Sequence, residues 1–281
     1  MTTQERISLP TALITGCSAG GIGSALAEAL HERGVHVFAT ARSREKMSHL
    51  EKYPNMTFLE LDVTSSSDIS AAVEAVKAQT GGTLNYLVNN SGVPLVFPAL
   101  ETDLDKAKEL YDVNFWGVVA MTHSFAPLLI SAKGTVANIS SMGGVLSFPW
   151  CGFYASSKAA VRAYGEAVRL ELAPFGVRVV TVMSGLIGTN IFTRSPEIDL
   201  SGSIYEGATK GVSDMATGAV IKDVTPASVY AGRVADDLVG GANGVIWRGK
   251  MSSMAWFLST FLPAWVLDKM LVSGAGLEQL G

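Results

Sequence analysis

The chain has 281 residues, with 25 acidic against 21 basic side chains and a formal charge of −4. That balance leaves no electrostatic footprint for a general nucleic-acid or anionic-membrane role. At 48% hydrophobic and 16% charged residues, it has enough apolar material for one large core. Cys17 and Cys151 are too far apart in sequence to form a metal-like or redox pair, which leaves a reducing compartment as the simple reading.

The first ten residues are polar and include Glu5 and Arg6. Lacking an apolar stretch and a small-residue cleavage site, they are not expected to act as a secretory signal. A cytoplasmic placement is expected, so the Asn-x-Ser/Thr matches at Asn55, Asn89 and Asn138 are read as accidental.

Beyond this, short apolar runs alternate with segments of helical spacing. Residues 11–15, 35–40, 56–61, 85–89, 134–139 and 177–183 read as strands, with 244–247 a final one. Residues 22–33, 44–52, 66–79, 104–130 and 153–173 read as helices, with a break expected near Asn114 and a stop at Gly176. This alternation predicts an α/β fold with one doubly wound, Rossmann-type parallel sheet covered by helices on both faces. No repeat or composition shift marks a second domain, so residues 1–250 read as one domain and 251–281 as an apolar extension. Ligands in such sheets bind beyond the carboxyl ends of the strands.

The first such loop runs from Thr15 to Gly23 and holds Gly16, Gly20, Gly21 and Gly23. Glycines there permit a tight turn and close approach of a pyrophosphate, and the following helix start supplies free N–H groups. Gly16, Ser18, Gly21 and Ile22 are the candidate phosphate-loop residues, and Ser18 is also a candidate helix cap. The same stretch satisfies the G-x-S-x-G pattern of serine hydrolases. That rival lacks support elsewhere: the pattern falls at the first strand, and His31, His36, His49 and His123 belong to no triad signature.

The second strand leads into Ala41-Arg42. An NAD enzyme wants a carboxylate near this point for the ribose hydroxyls, whereas a guanidinium suits the 2′-phosphate of NADP(H). Asp62 and Val63 close the third strand, where an acid would accept from the adenine amino group.

Tyr154 and Lys158 stand four apart at the start of a helix, so phenol and ammonium share one face. A neighbouring cation is expected to lower the phenol's pKa towards a useful acid/base range.

Taken in order, Thr15–Gly23, Asn89-Asn-Ser-Gly92, Asn114, Ile139-Ser-Ser-Met142 and Tyr154–Lys158 make the chain resemble the short-chain dehydrogenase/reductase family over about residues 9–250. Within it, the chain looks like the fungal branch that includes NADPH-dependent 1-acyldihydroxyacetone phosphate reductases and related reductases of secondary metabolism. The resemblance implies that Tyr154 is the general acid, that Lys158 binds the nicotinamide ribose and lowers the phenol's pKa, and that Ser141, rather than Ser140, hydrogen-bonds the carbonyl. It implies that Asn114 holds a water linking Lys158 to solvent, that Asn90 and Gly92 lie on the adenosine side, and that Ile187 and Thr189 bind the nicotinamide amide. No metal is implied. The chain departs from the family pattern in its extra loop glycine, in Ser91 for the usual alanine, and in Ser184-Gly185 for the usual Pro-Gly. The last change predicts a more mobile loop.

Residues 190–226 are the least patterned and are expected to form the substrate lid. Met183, Leu186, Ile191, Phe192, Tyr205 and Met215 are candidate walls; Arg194 and Lys210 read chiefly as solvated charges. Residues 251–267 carry no charge and include Trp256, Phe257, Phe261 and Trp265. At 17 residues they fall short of the roughly 20 that a spanning helix needs. They fit a subunit contact, a pocket cover, or a peripheral contact with a membrane such as endoplasmic reticulum or a lipid droplet. The overall expectation is an NADPH-dependent reductase acting on a ketone or aldehyde of a moderately apolar small molecule, and a homo-oligomer. A serine hydrolase through Ser18 and a non-catalytic nucleotide-binding protein are the alternatives.

Overall fold

The structure is a computed structural model and describes residues 7–192 and 198–280. The chain opens with β1 (Thr11–Ile14), α1 (Ile22–His31), β2 (His36–Ala41), β3 (Met56–Glu60), α2 (Ser66–Thr80) and β4 (Tyr86–Asn89). It continues through α3 (Leu104–Tyr111), α4 (Gly117–Ala132), β5 (Thr135–Ser141), α5 (Gly152–Leu172) and β6 (Arg178–Ser184). After these come β7 (Ile187–Gly188), α6 (Thr209–Thr217), β8 (Thr225–Pro226), α7 (Ala227–Val239) and β9 (Gly244–Arg248). Two short helices, α8 (Ser252–Phe261) and α9 (Ala264–Val272), precede the C-terminal segment.

Seven strands form one parallel sheet in the order β3-β2-β1-β4-β5-β6-β9. Its strands are apolar on both sides because both faces are covered. Alternation along β1 shows the division: Ala12 and Ile14 join one core with α1 and α7, while Leu13 joins the other with α2 and α4. The strand order reverses between β1 and β4, which places a crevice beyond their carboxyl ends.

Three local outcomes differ from the sequence reading. The expected break near Asn114 is a π-helical turn, Asp112–Trp116, joining α3 to α4 without interruption. Such turns insert one residue into a helix and recur at functional sites. The segment 44–52 forms a 3-10 helix, Arg44–Leu50, instead of an α-helix. The apolar extension is not one segment but the pair α8 and α9, divided before Pro263, because proline lacks the N–H that would continue a helix. Neither is long enough to span a bilayer. The one helical run among the described residues that is long and apolar enough, Leu104–Ala132, includes α4, whose Met121, Phe125 and Leu129 are buried in the core.

Candidate active site

The loop after β1 is shaped by its glycines. Gly16 has φ +75°, and a Cβ there would lie 3.0 Å from Ser91 Oγ. At Gly23 a Cβ would lie 2.4 Å from the Gly16 carbonyl oxygen, so only glycine lets α1 start against the loop. Asn90 fixes this arrangement: its side-chain amide donates to the Thr15 and Gly16 carbonyls at 2.8 and 3.2 Å. Gly21 occupies the position before α1 with no side-chain cap; Ser18 therefore does not cap the helix as expected, its carbonyl instead accepting from Gly21 N–H. The open N-terminal turn of α1, beginning at Ile22, and the close backbone approach fit the pyrophosphate of a dinucleotide. Asn190 N–H donates to the Gly20 carbonyl, so the loop after β7 closes on the same crevice, with Ile187 and Thr189 just before it.

At the end of β2, Arg42 is exposed. The nearby Arg44 is committed: it pairs with Glu51 and lies 5.2 Å from the Phe58 ring centroid. No ion pair engages Arg42 among the described residues, and Ala41 puts no carboxylate beside it. Asp62 follows β3, but its Oδ1 accepts from the Thr64 N–H and hydroxyl at 2.9 and 2.7 Å. Val63 is buried against Gly117.

The polar centre is built from four elements. β5 extends to Ser141, two residues past its expected end, because Ser140 and Ser141 stay in register with Met183 and Ser184 of β6. Strand alternation separates the two serines. Ser140 Oγ turns inward and donates to the Lys158 carbonyl at 2.9 Å, while Ser141 Oγ accepts from Gly143 N–H and hydrogen-bonds Tyr154. Ser141 is thus the serine facing the phenol. Tyr154 and Lys158 lie on adjacent turns of α5, with Nζ 5.9 Å from the phenol ring centroid. Lys158 Nζ donates to the Ile139 carbonyl at 3.0 Å. Asn114, fully buried in the π turn, exchanges hydrogen bonds with the Val93 backbone and donates to Ser157 Oγ at 3.2 Å.

A Cβ on Gly92 would lie 3.3 Å from Asn114 Oδ1 and 3.4 Å from Lys158 Nζ. The loop after β4 therefore brings Gly92 close to Asn114 and Lys158.

Burial governs the charges. It pulls Lys158 down from 10.5 to about 8. It also pushes the Tyr154 phenol up, outweighing the lowering by Ser141, with Cys151 adding to the rise. The expected net depression of the phenol by the ammonium is therefore not found; desolvation of the phenolate wins.

The loop after β6 is held by hydrogen bonds on both sides. Ser184 Oγ and Tyr230 Oη share a buried hydrogen bond of 2.6 Å. Gly185 and Leu186 N–H groups donate to the Arg248 and Lys250 carbonyls. The hydroxyl that replaces the usual proline ring provides the anchor.

Among the candidate walls, Met183 is fully buried, Leu186 is half-buried and Ile191 is exposed. Tyr205 and Met215 pack on a satellite core of Trp150, Ile198, Leu200, Ala208, Val212 and Ala216. Lys210 pairs with Asp214 on the surface of α6. Arg194 and the side chain of Phe192 lie outside the described residues. Sequence reading missed Trp150 and the tail residues Leu277 and Leu280, which join this cluster. No periodic signal pointed to contacts so distant along the chain.

A family model described as short chain dehydrogenase matches residues 10–198. The chain belongs to this family. The dehydrogenase is 46% identical over 268 residues to the short-chain dehydrogenase ptmH of Penicillium ochrochloron, covering 95% of this chain and 98% of that relative. It is 45% identical over 182 residues to the NADPH-dependent 1-acyldihydroxyacetone phosphate reductase of Schizosaccharomyces pombe, a match covering 65% and 61% of the two chains. A short-chain dehydrogenase from Burkholderia cenocepacia J2315, solved in complex with NADP, superposes with a TM-score of 0.70 at 26% identity, covering 95% of this chain and 99% of that one. Family membership makes the protein a nicotinamide-dependent oxidoreductase. The hydrolase alternative finds no support in the geometry. No histidine bonds Ser18 among the described residues, and the Ser24–His49 pair, at 2.5 Å, places its serine in the buried first turn of α1.

Proposed function

We propose that this dehydrogenase uses NADPH to reduce a ketone or aldehyde on a moderately apolar, lipid-like or secondary-metabolite substrate. The carrying observation is the convergence of Ser141, Tyr154, Lys158 and Asn114 at the end of the crevice that the glycine loop opens. A protein that only bound nucleotide would not need a phenol, a serine hydroxyl and a buried ammonium beside one another.

The cofactor supplies the hydride. The chain's own part is positioning and proton transfer. Tyr154 Oη gives its proton to the substrate oxygen as negative charge develops there. Ser141 Oγ, held by Gly143 N–H, donates a hydrogen bond to the same oxygen. Lys158 spends one N–H on Ile139 and keeps two donors for the nicotinamide ribose and the proton path. Asn114 holds Val93 and Ser157, fixing the wall beside Lys158 and the water route to solvent. Gly16, Ser18, Gly21 and Ile22 would hold the phosphates, while Asp62, Val63 and Asn90 would line or support the adenosine side. Ile187 and Thr189 would meet the nicotinamide amide.

Arg42 supports NADPH over NADH, being exposed, without an ion pair among the described residues, and beside Ala41. Loss of a bidentate charged contact costs about 1.5–3 kcal/mol. Arg42→Ala should therefore weaken NADPH binding by tenfold or more while leaving NADH binding nearly unchanged. Isothermal titration with both cofactors checks this, and equal losses would refute the assignment. A screen of ketones of increasing chain length for NADPH consumption tests the reaction itself.

The exposed Trp256, Phe257 and Phe261 of α8 and Trp265 of α9 support a further reading: this cytoplasmic enzyme works at the surface of a membrane or lipid droplet. Aromatic rings without acidic neighbours over 251–267 suit the interfacial layer, with Lys269 lying 5.4 Å from the Trp265 ring.

A further inference from the structure

Trp150 is buried, yet it has φ 68°. It stands at the third position of the turn Phe148–Cys151, closed by Cys151 N–H to the Phe148 carbonyl, with Pro149 at the second. This is the proline-then-positive-φ pattern of a type II turn, where glycine or asparagine is usual. A bulky side chain stays in that conformation only when its surroundings over-determine it, and such residues cluster at ligand sites.

The surroundings here are specific. Indole Nε1 donates to the Ala275 carbonyl at 2.9 Å. The Trp150 carbonyl accepts from Phe97 N–H at 2.8 Å. The ring meets Tyr205 edge-on, with centroids 5.6 Å apart. Ala275 belongs to the tail after α9, which returns across the molecule so that Leu277 and Leu280 pack on the cluster containing Ala208 and Val212. The approach is close: a Cβ on Gly211 would lie 2.1 Å from the Ala275 carbonyl oxygen. Trp150 thus joins three pieces — the loop after β4, the α6 region and the tail — immediately before the turn of α5 that carries Tyr154.

We propose that Trp150 is a positioning residue and that residues 273–280 are a strap. Together they fix an apolar roof over the catalytic phenol and select the substrate by the length of its apolar arm. The inference rests on the carbonyl-reductase reading above. Substrate atoms beyond the carbonyl meet the roof formed by Val96, Phe97, Tyr205 and Met215, and this roof holds its shape only while the strap is latched.

Two full-length variants test this. Trp150→Phe keeps a ring but removes the Nε1 donor, and Leu277→Ser weakens the strap's packing on the cluster while leaving the Trp150 side chain and its Nε1 donor in place. Each is compared with the wild type by hydrogen exchange, by NADPH titration, and by kcat and KM on cyclohexanone and on a long-chain methyl ketone. Exchange at Phe97 and across 209–217 should accelerate, and KM for the long ketone should rise about three- to tenfold, the factor a lost buried hydrogen bond implies. The kcat values, KM for cyclohexanone and NADPH affinity should hold. Unchanged exchange in both variants, or equal KM increases for the two ketones, would overturn the proposal. If wild-type protein consumes no NADPH with either ketone, the reductase reading fails, and exchange alone then decides whether the strap exists.

Discussion

A general acid must hold its proton at working pH before it can give it away. Burial keeps the Tyr154 phenol above its ordinary value, so it stays protonated across neutral pH and is ready for the reductive direction. Tyr154→Phe should leave folding and NADPH binding intact and cut turnover by the ~10²–10⁴ typical of a lost general acid. Near-wild-type turnover in that variant would place the proton donor elsewhere. Lys158 behaves differently. Its value in the folded protein is depressed to about 8 from 10.5, so the ammonium loses its charge as pH rises through about 8. NADPH affinity of the wild type should fall over that interval. Stability runs the other way: between about 8 and 10.5 the unfolded chain binds the extra proton, so this group adds stability as pH rises. Below about 8 the buried charge costs folding free energy. Lys158→Met should therefore impair turnover and cofactor binding, yet raise the melting temperature of the cofactor-free protein by a few degrees at pH 7. A lower melting temperature would mean that the Ile139 hydrogen bond outweighs desolvation.

At the scale of elements, backbone proximity does what side-chain identity cannot. The start of α1 lies against the phosphate loop because Gly23 leaves room for the Gly16 carbonyl and the Asn90 amide. In Gly23→Ala the new methyl would meet both, at 2.4 and 2.5 Å, and the first of these is backbone that cannot swing away. The expected result is NADPH binding weakened by at least about tenfold together with a lower melting temperature, since forced backbone shifts cost about 1–3 kcal/mol. Titration and thermal unfolding measure the two effects. The π turn at Asp112–Trp116 acts similarly. It turns Asn114 into the protein while the helix continues, so its amide reaches both Val93 and Ser157. The sequence marked this place as a break because no propensity distinguishes a widened turn from an interruption.

Across the molecule, the C-terminal region does two separate things. Its tail reaches back to Trp150 and its cluster, while α8 and α9 leave aromatic side chains in solvent. If that face works at a lipid surface, the full-length protein should sediment with neutral phosphatidylcholine vesicles, and Trp256→Ser with Phe261→Ser should abolish this without loss of turnover. Retention of vesicle binding in the double variant, or a stable dimer that the two changes dissociate, would show that the face serves another purpose. Net charge of −4 makes the attachment depend on apolar insertion instead of anionic lipid, so it should persist at high salt.

Strand–helix alternation by itself determined the layered parallel sheet, because a strand buried on both faces must be apolar throughout and its crossovers must be helical. Local motifs also determined the centre of the site: four-residue spacing on α5 places Tyr154 and Lys158 on one face whatever surrounds them, and the glycines after β1 admit few backbone paths. Tertiary structure decided what depends on neighbours distant in sequence. Desolvation set the direction of the Tyr154 shift against the expectation from Lys158 alone. The path of the loop after β4 put Gly92 beside the lysine, and the Tyr230 hydroxyl anchored Ser184. The tail's return to Trp150 spans 125 residues, and a contact at that separation leaves no periodic trace. It exists only because folding has already brought the loop after β4, the α6 region and the end of the chain together around Trp150.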